Sequence, residues 1–403
     1  MAGILQGDDM KALIIGGGIT GPVAALALRK AGIEAEIFEA YEQNADNAGG
    51  WLMIAPNGVN ALGILGLDAD LRAIGRPNQR MVMTDGRGKR FGAFDELDAD
   101  NPSQLAMRSD LCGLLAERAV EAGIKIHHGK RLVDVAETAD GVTAHFADGS
   151  TATGDVLLGA DGVHSTVRKL IDPNAPGPRY TGLLGFGGSV PGNDFGLAEG
   201  EFYFAQGKRG FLGYALTAEG DTGWFTNVPS REPMTGAEAR AIGAEEWLRR
   251  MRELYGDDYP AHGILAKATP DGMVVLGGMH IMPSAPRWHT DRIVLVGDAA
   301  HVPSNSTGQG ASMSIESAIE LARCLRDLPV PQAFEAYEKL RRARVEKVAE
   351  QGEKTNQDKV NGRIGQAVIG VLAPIAMKLF MKPEKMFGWL HRHRIDWDAK
   401  VHA

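Results

Sequence analysis

Only two cysteines, Cys112 and Cys324, occur in 403 residues. So few exclude a disulfide-stapled fold, and a chain of this length can bury a sizeable core without one. Both fall in apolar, helix-patterned surroundings and are expected as buried reduced thiols rather than a redox pair. Metal-ligand spacing is missing as well. There is no HExxH, and His127 and His128 are adjacent in a strand-like run, so no metal centre is expected. Basic charge is not in excess either. Acidic residues outnumber basic ones 51 to 43, giving a net charge of -8 that argues against nucleic acid as a partner. The longest apolar stretch, around residues 364–380, is interrupted by Gly365, Gly370 and Pro374. It is short for a membrane span and reads as a docked or amphipathic helix. Residues 1–9 read as a short leader before Met10, no secretory signal is visible, and a cytoplasmic location is expected.

Glycine, by contrast, is abundant. There are 52, several clustered as in turns built around a ligand. Residues 11–15 form an apolar run ending in Gly16-Gly17-Gly18, the pattern of a buried parallel strand. A helical pattern covers residues 20–31, Gly32 stops it, and a second strand follows over 34–39. This is a βαβ unit. Residues 49–54 read as strand or loop, and Pro56 opens a helix to about residue 65. A hairpin is expected over 81–84 and 89–94, and Ser109 is the expected cap of a helix to 122. Strands at 132–137 and 142–146 make a meander, and 155–159 is another buried strand. From Tyr180 the composition shifts to short aromatic strands (200–204, 210–216, 222–227) with a helix over 236–254. A further apolar strand at 292–296 and helices over 309–326 and 331–353 complete the pattern. The fold class is α/β. A Rossmann-like nucleotide-binding domain is expected from residues 10–78, 105–179 and 281–355. An inserted sheet-based substrate domain takes 79–104 and 180–280, and 356–403 form a helical tail.

Three motifs carry chemistry. In Gly16-Gly17-Gly18-Ile19-Thr20-Gly21, the spacing of Gly16, Gly18 and Gly21 is GxGxxG. The first glycine allows the turn, the second lets backbone approach a pyrophosphate, and the third lets helix and strand pack closely. The helix start offers free N–H groups to phosphate. Glu39, ending the next strand, suits a carboxylate accepting hydrogen bonds from a ribose. This motif alone does not separate FAD from NAD. In Gly297-Asp298-Ala299-Ala300-His301 a carboxylate follows a strand, placed to meet a polyol. Gly308-Gln309-Gly310 then opens a helix where a flat ring could lie against bare backbone. The third motif, Gly159-Ala160-Asp161-Gly162, leads from a strand into a helix bearing Arg168, and also fits a plain turn and helix cap.

In this order the motifs resemble the class A, single-component flavoprotein monooxygenases, the para-hydroxybenzoate hydroxylase-like family, over about residues 10–353. The resemblance implies that Gly16, Gly18, Ile19, Thr20, Gly21 and Glu39 hold the ADP part of FAD. It implies that Arg108 and the pair Asp161 and Arg168 contact FAD, with a role for the last two toward the pyridine nucleotide. Asp298 would bind the ribityl chain, and Gly308, Gln309 and Gly310 would lie beside the flavin ring. Some positions depart from the family. Asn305 stands where proline is frequent, Ser317 where aspartate is common, and residues 40–48 hold no basic side chain.

The resemblance further implies a reaction. NADH or NADPH binds transiently and reduces FAD, dioxygen forms a flavin hydroperoxide, and one oxygen atom enters the substrate. Phe202, Phe204, Phe211, Tyr214, Trp224 and Phe225 alternate along the aromatic strands. As a group they suggest a pocket for an apolar, aromatic or polyketide-like small molecule. Tyr214, His262 and His301 are the available bases, and none is singled out. Monomer and homodimer both stay open. The competing readings are an FAD-dependent reductase or dehydrogenase, a flavin halogenase, for which the expected tryptophan-rich stretch is missing, and a non-catalytic flavin-binding protein. A dehydrogenase using NAD alone leaves the Asp298 motif unexplained.

Overall fold

A computed structural model describes residues 10–42, 50–208, 210–282, 284–360 and 383–402. The expected leader and the apolar stretch around 364–380 lie outside the described residues.

The two apolar runs that follow the βαβ logic are Lys11–Ile15 and Val156–Gly159, both almost wholly buried. Such runs need cover on both faces, and they sit at the centre of a parallel sheet. Its order is Ile293–Leu295, Val156–Gly159, Lys11–Ile15, Glu34–Phe38, Lys125–His127. Every neighbouring pair is parallel. The strand ends that carry Gly16, Glu39, Ala160 and Gly297 therefore share one edge. A crevice at that edge is where open α/β sheets bind ligands. Helices Thr20–Lys30 and Gly310–Asp327 pack on each other beside it. The meander comprises Leu132–Glu137, Val142–Phe146 and Thr151–Gly154. Cys112 and Cys324 are buried in helices Arg108–Glu121 and Gly310–Asp327.

Trp51–Ile54 is a strand. It pairs with Ser103–Met107, which pairs with Arg76–Asn78. The helix expected to be capped by Ser109 starts one residue earlier, at Arg108. Strand Ser103–Met107 runs directly into it, so extended Met107 occupies the cap position and Ser109 lies inside the first turn. The single helix expected over 236–254 is two, Gly236–Ile242 and Ala244–Tyr255. Gly243, at φ 92°, breaks it in a conformation that L side chains avoid.

The aromatic strands form a seven-stranded sheet in the order Met273–Ile281, Arg179–Val190, Thr222–Pro229, Phe211–Leu216, Glu201–Gln206, Arg80–Asp85, Arg90–Asp95. The expected hairpin thus joins this sheet across the parallel pair Glu201–Gln206 and Arg80–Asp85. Alternation along the strands separates two faces. One carries Phe186, Tyr203, Tyr214 and Trp224 and is covered by helices bearing Trp247, Leu248, Met251 and Ile264. The other carries Phe202 and Ala215, with Phe204 and Phe225, against Leu105, Trp51 and Met53.

Helix Pro383–His391 and the segment after it are tied down. Arg344 donates to the carbonyls of Trp389 and Leu390 at 3.1 and 3.0 Å. Val401 N–H reaches Asp327 at 2.8 Å. The cluster His391-Arg392-His393-Arg394 reads from sequence as solvated surface, and the structure bears this out for the two arginines but not for the two histidines. His391 Nδ1 lies 3.0 Å from Glu96, Arg394 pairs with Asp98, and His393 is half-buried near Glu316. Arg392, paired with Glu384, and Arg394 stay exposed. The partners of His391 and Arg394 lie about three hundred positions away in the chain, which local pattern does not encode.

Candidate active site

Both the shape and the electrostatics of the crevice start from glycines. Gly16 has φ 110°, and a Cβ on it would strike the Ala160 carbonyl; a Cβ on Gly21 would strike the Gly16 carbonyl. Turn and helix packing therefore demand bare backbone at both. Gly18 differs: nothing lies within 4 Å of where its Cβ would be. Helix Thr20–Lys30 begins there, with Ile19 at its cap, no side-chain cap bond and no acid in its first turn. Its leading N–H groups and positive dipole end face open space. Thr20 lies against Gly297, so the first and second motifs touch. Glu39 Oε2 accepts from Gly17 N–H at 2.6 Å, and Oε1 accepts from Tyr41 N–H at 3.0 Å. This fixes the carboxylate at the strand tip.

Across the crevice, Asp298 sits in the short 3-10 turn Gly297–Ala299. Its Oδ1 accepts a long hydrogen bond from Ser314 Oγ at 3.5 Å. Burial pushes its carboxyl up to about 6, against the pull of the Arg108 guanidinium. An acid this poorly solvated needs donors that the protein supplies sparingly. Gly308 adopts φ 62°, and Gly310, with nothing within 4 Å of its Cβ position, opens helix Gly310–Asp327. That helix also lacks a side-chain cap and a first-turn acid. Gln309 is buried and accepts from Asn57 Nδ2 at 3.1 Å. The same amide donates to Glu316 at 2.6 Å. Glu316 in turn pairs with Arg341 at 2.6 Å and Arg344 at 2.9 Å. Gln309 thus anchors the loop by its side chain and leaves only backbone to the crevice.

The third motif is used internally. Asp161 accepts from Ser165 Oγ and, at 2.7 and 3.0 Å, from the N–H groups of Thr166 and Val167. It caps helix Thr166–Ile171. Arg168 is 1% exposed and donates to the carbonyls of Ala299 and Val163 at 2.8 and 2.7 Å. A guanidinium held in this way straps two loops together.

The expected pocket aromatics divide. Phe202, Phe204, Phe211 and Phe225 meet on the crevice side, with ring centroids 4.8 Å apart for Phe202–Phe204 and 5.8 Å for Phe211–Phe225. Tyr214 and Trp224 oppose each other on adjacent strands, on the helix-covered face, and pack in its core. Trp224 is 1% exposed. A hydrophobic repeat of two gives the alternation but not which face meets the cofactor side. The floor of the crevice side is glycine. A Cβ on Gly213 would overlap the Phe225 ring, and one on Gly185 would overlap the Met279 methyl, so both side chains lie flat on the sheet.

None of the three candidate bases faces this space. His301 is buried against Ser317 Oγ at 3.1 Å, and burial drives it down to about 3. Burial pushes Tyr214 up to about 12. His262 sits on helix Ala261–Lys267, on the far side of the sheet. Sequence reasoning missed Trp51, Met53 and Leu105, which complete the apolar wall, and Asn227, whose partner is Asn305. Only the apolar start of strand Trp51–Ile54 hinted at the first two.

Two open helix starts, two unoccluded glycines and carboxylates on separate strand tips fit a dinucleotide, whose charge is central and whose hydroxyls lie toward both ends. Comparison with known proteins agrees. Residues 9–352 match the family model described as FAD binding domain. The FAD-dependent urate hydroxylase of Klebsiella pneumoniae is 30% identical over 351 residues, 83% of this chain and 87% of that protein. The 3-amino-4-hydroxybenzoate 2-monooxygenase of Streptomyces cremeus is 29% identical over 363 residues, covering 84% and 85%. The crystal structure of Klebsiella pneumoniae HpxO with FAD and uric acid superposes with a TM-score of 0.84 at 24% identity, covering 96% and 97%. The chain therefore belongs to the FAD binding domain family and is a class A FAD-dependent monooxygenase.

Proposed function

We propose that the chain uses NADH or NADPH as a transient reductant and inserts one oxygen atom into an apolar, aromatic small molecule. The observation that carries this reading is the pair of uncapped helix starts, Thr20–Lys30 and Gly310–Asp327, at one sheet edge opposite four phenylalanines. In it, Gly16, Gly18, Ile19, Thr20, Gly21 and Glu39 hold the ADP part of FAD. Asp298, with Arg108 behind it, takes the ribityl hydroxyls, and the backbone of Gly308, Gln309 and Gly310 lies against the ring. Asp161 and Arg168 act indirectly, by fixing the loops. FAD, when bound, supplies the electron transfer and the activation of dioxygen.

The protein contributes position and dryness. Trp51, Met53, Leu105 and the phenylalanines keep water from the reacting face, which preserves the oxygenating step against loss as hydrogen peroxide. No base from the chain is required by this arrangement. The relatives' substrates, urate and an aminohydroxybenzoate, are electron-rich rings, and a ring of this kind fits the pocket proposed here. Residues 10–78, 105–179 and 281–355 serve as the cofactor domain, with 79–104 and 180–280 as the substrate domain. A cytoplasmic monomer or homodimer belongs to the same proposal. Among the described residues no helix is long and apolar enough to cross a membrane.

The test is an absorbance spectrum of the purified protein with FAD, then NADH and NADPH oxidation with a panel of phenols and heteroaromatics. A flavin spectrum, substrate-stimulated oxidation and a product heavier by one oxygen are expected. Oxidation of NAD(P)H with no oxygenated product from any panel member would replace the proposal with a reductase.

A further inference from the structure

Two methionine sulfurs meet the turn that leads into helix Gly310–Asp327, and they reach it from different strands. Met53 lies on strand Trp51–Ile54, and its sulfur is 4.0 Å from where a Cβ on Gly308 would sit. Met279 lies on strand Met273–Ile281, and its sulfur is 3.3 Å from Nδ2 of Asn305, at the start of the same turn. Met279 lies flat over Gly185, where a Cβ would overlap its terminal methyl. Met53 packs against the cluster of Leu105, Phe202 and Ala215. Both methionines are half-buried rather than sealed in the core.

As wall residues they are unusual in one respect. A thioether is soft and polarizable, and leucine has nearly its volume without its chemistry. The sulfur lone pairs take up one oxygen atom to give a sulfoxide, whereas the plain phenyl rings beside them are poor acceptors. The cofactor reading sets the flavin ring against the backbone of Gly308. An oxygen atom activated there starts beside both sulfurs. An electron-rich substrate competes for that atom, and in its absence the sulfurs are the acceptors at hand.

We propose that Met53 and Met279 form a modification site, at which one or other thioether accepts the oxygen atom when the pocket holds no substrate. The balance is that of the monooxygenase reaction with sulfur in place of the substrate. One atom of dioxygen forms the new bond to sulfur, using a sulfur lone pair, and the O–O bond breaks. The second atom leaves as water, with two electrons and two protons taken from the reduced cofactor and solvent. No bond to carbon changes. A sulfoxide at Met53 places a polar group against Trp51, Leu105 and Phe202, which weakens the wall for an apolar ring. The proposal rests on the monooxygenase reading for its location, but its readout is the mass of the protein's own residues.

The experiment starts from FAD-loaded protein with a verified flavin spectrum. The protein is reduced by light and EDTA without oxygen, so no pyridine nucleotide is needed. It is then reoxidised in the dark, with catalase present, by dioxygen carrying the heavy oxygen isotope. After several cycles the methionine peptides are weighed by mass spectrometry. Met234 and Met273 are the internal controls: they too are half-buried, but they pack on the helix-covered side of the sheet. Heavy oxygen at Met53 or Met279 should exceed that at either control by at least about fivefold. Equal labelling of controls and pair would mean a diffusing oxidant and would overturn the proposal, as would no label at either residue. Oxygenation of an aromatic panel compound by protein that labels neither sulfur would overturn this proposal alone. Label at the sulfurs with no panel compound oxygenated would leave it standing and overturn the proposed aromatic substrate.

Discussion

Helices Thr20–Lys30 and Thr166–Ile171 both follow a central strand of the parallel sheet and both begin after a glycine-containing turn, but their first turns are finished differently. At Thr166–Ile171 the donors are consumed by Asp161 and by Ser165, whose Oγ accepts from Arg168 N–H at 2.9 Å. At Thr20–Lys30 no side chain does this, and the same is true of Gly310–Asp327. A self-capped start is a structural joint, whereas an open one is a place for an anion. Similar motif grammar thus produces two outcomes, and the capping bonds tell them apart.

The largest expected effect comes from closing an open start. Gly21→Ala puts a methyl onto the Gly16 carbonyl, and flavin loading should fall by more than about a hundredfold, with a stability loss of about 2–3 kcal/mol. Flavin absorbance after gel filtration and a thermal melt measure the two. Next, Arg341→Met strips one partner from buried Glu316, which the two arginines hold down to about 2 despite its burial. A loss of about 3 kcal/mol in urea unfolding is expected, since an under-compensated buried charge remains near the Gln309 loop.

Asp298→Asn tests the comparison with opposite sign. The native carboxyl titrates near 6, against 3.8 for an ordinary aspartate, so the fold holds its proton more tightly than the unfolded chain does. Stability from this group is present at low pH and is lost as pH rises through that window. The FAD-free variant should therefore be more stable than the parent by about 1–2 kcal/mol at pH 7.5, with the gain vanishing below about pH 4. Its affinity for FAD should nevertheless fall. Melting FAD-free protein across pH checks the first statement, and flavin titration the second. The smallest effect belongs to the closed start. Asp161→Ala should cost about 1 kcal/mol by loss of a cap while FAD still loads. If it abolished flavin binding instead, the distinction between open and closed starts would collapse.

What was legible in the sequence follows the range of the interactions. The glycine turn, Glu39 and the Asp298 loop are local features, and each stands at the sheet edge that its spacing implied. The alternation of Phe202, Phe204 and Phe225 was legible too. The face was not, because Tyr214 and Trp224 alternate just as well and only the helices beyond residue 236 decide which set they cover. The burial of Arg168 against Ala299 was not legible, because its partner lies 131 positions away. The Asn57–Glu316–Arg341 chain and the clasp of His391 on Glu96 are equally non-local.

One feature of the sheet reaches beyond any single ligand. Phe225 and Met279 lie flat because Gly213 and Gly185 beneath them have no side chains. The room above the sheet is therefore set from below, by atoms that are missing. A single methyl at Gly213 would tip the Phe225 ring upward into the crevice while leaving every wall residue in place. Bulk tolerance could then be changed by one step in the floor, and a series of substrates of graded thickness would read out that step directly.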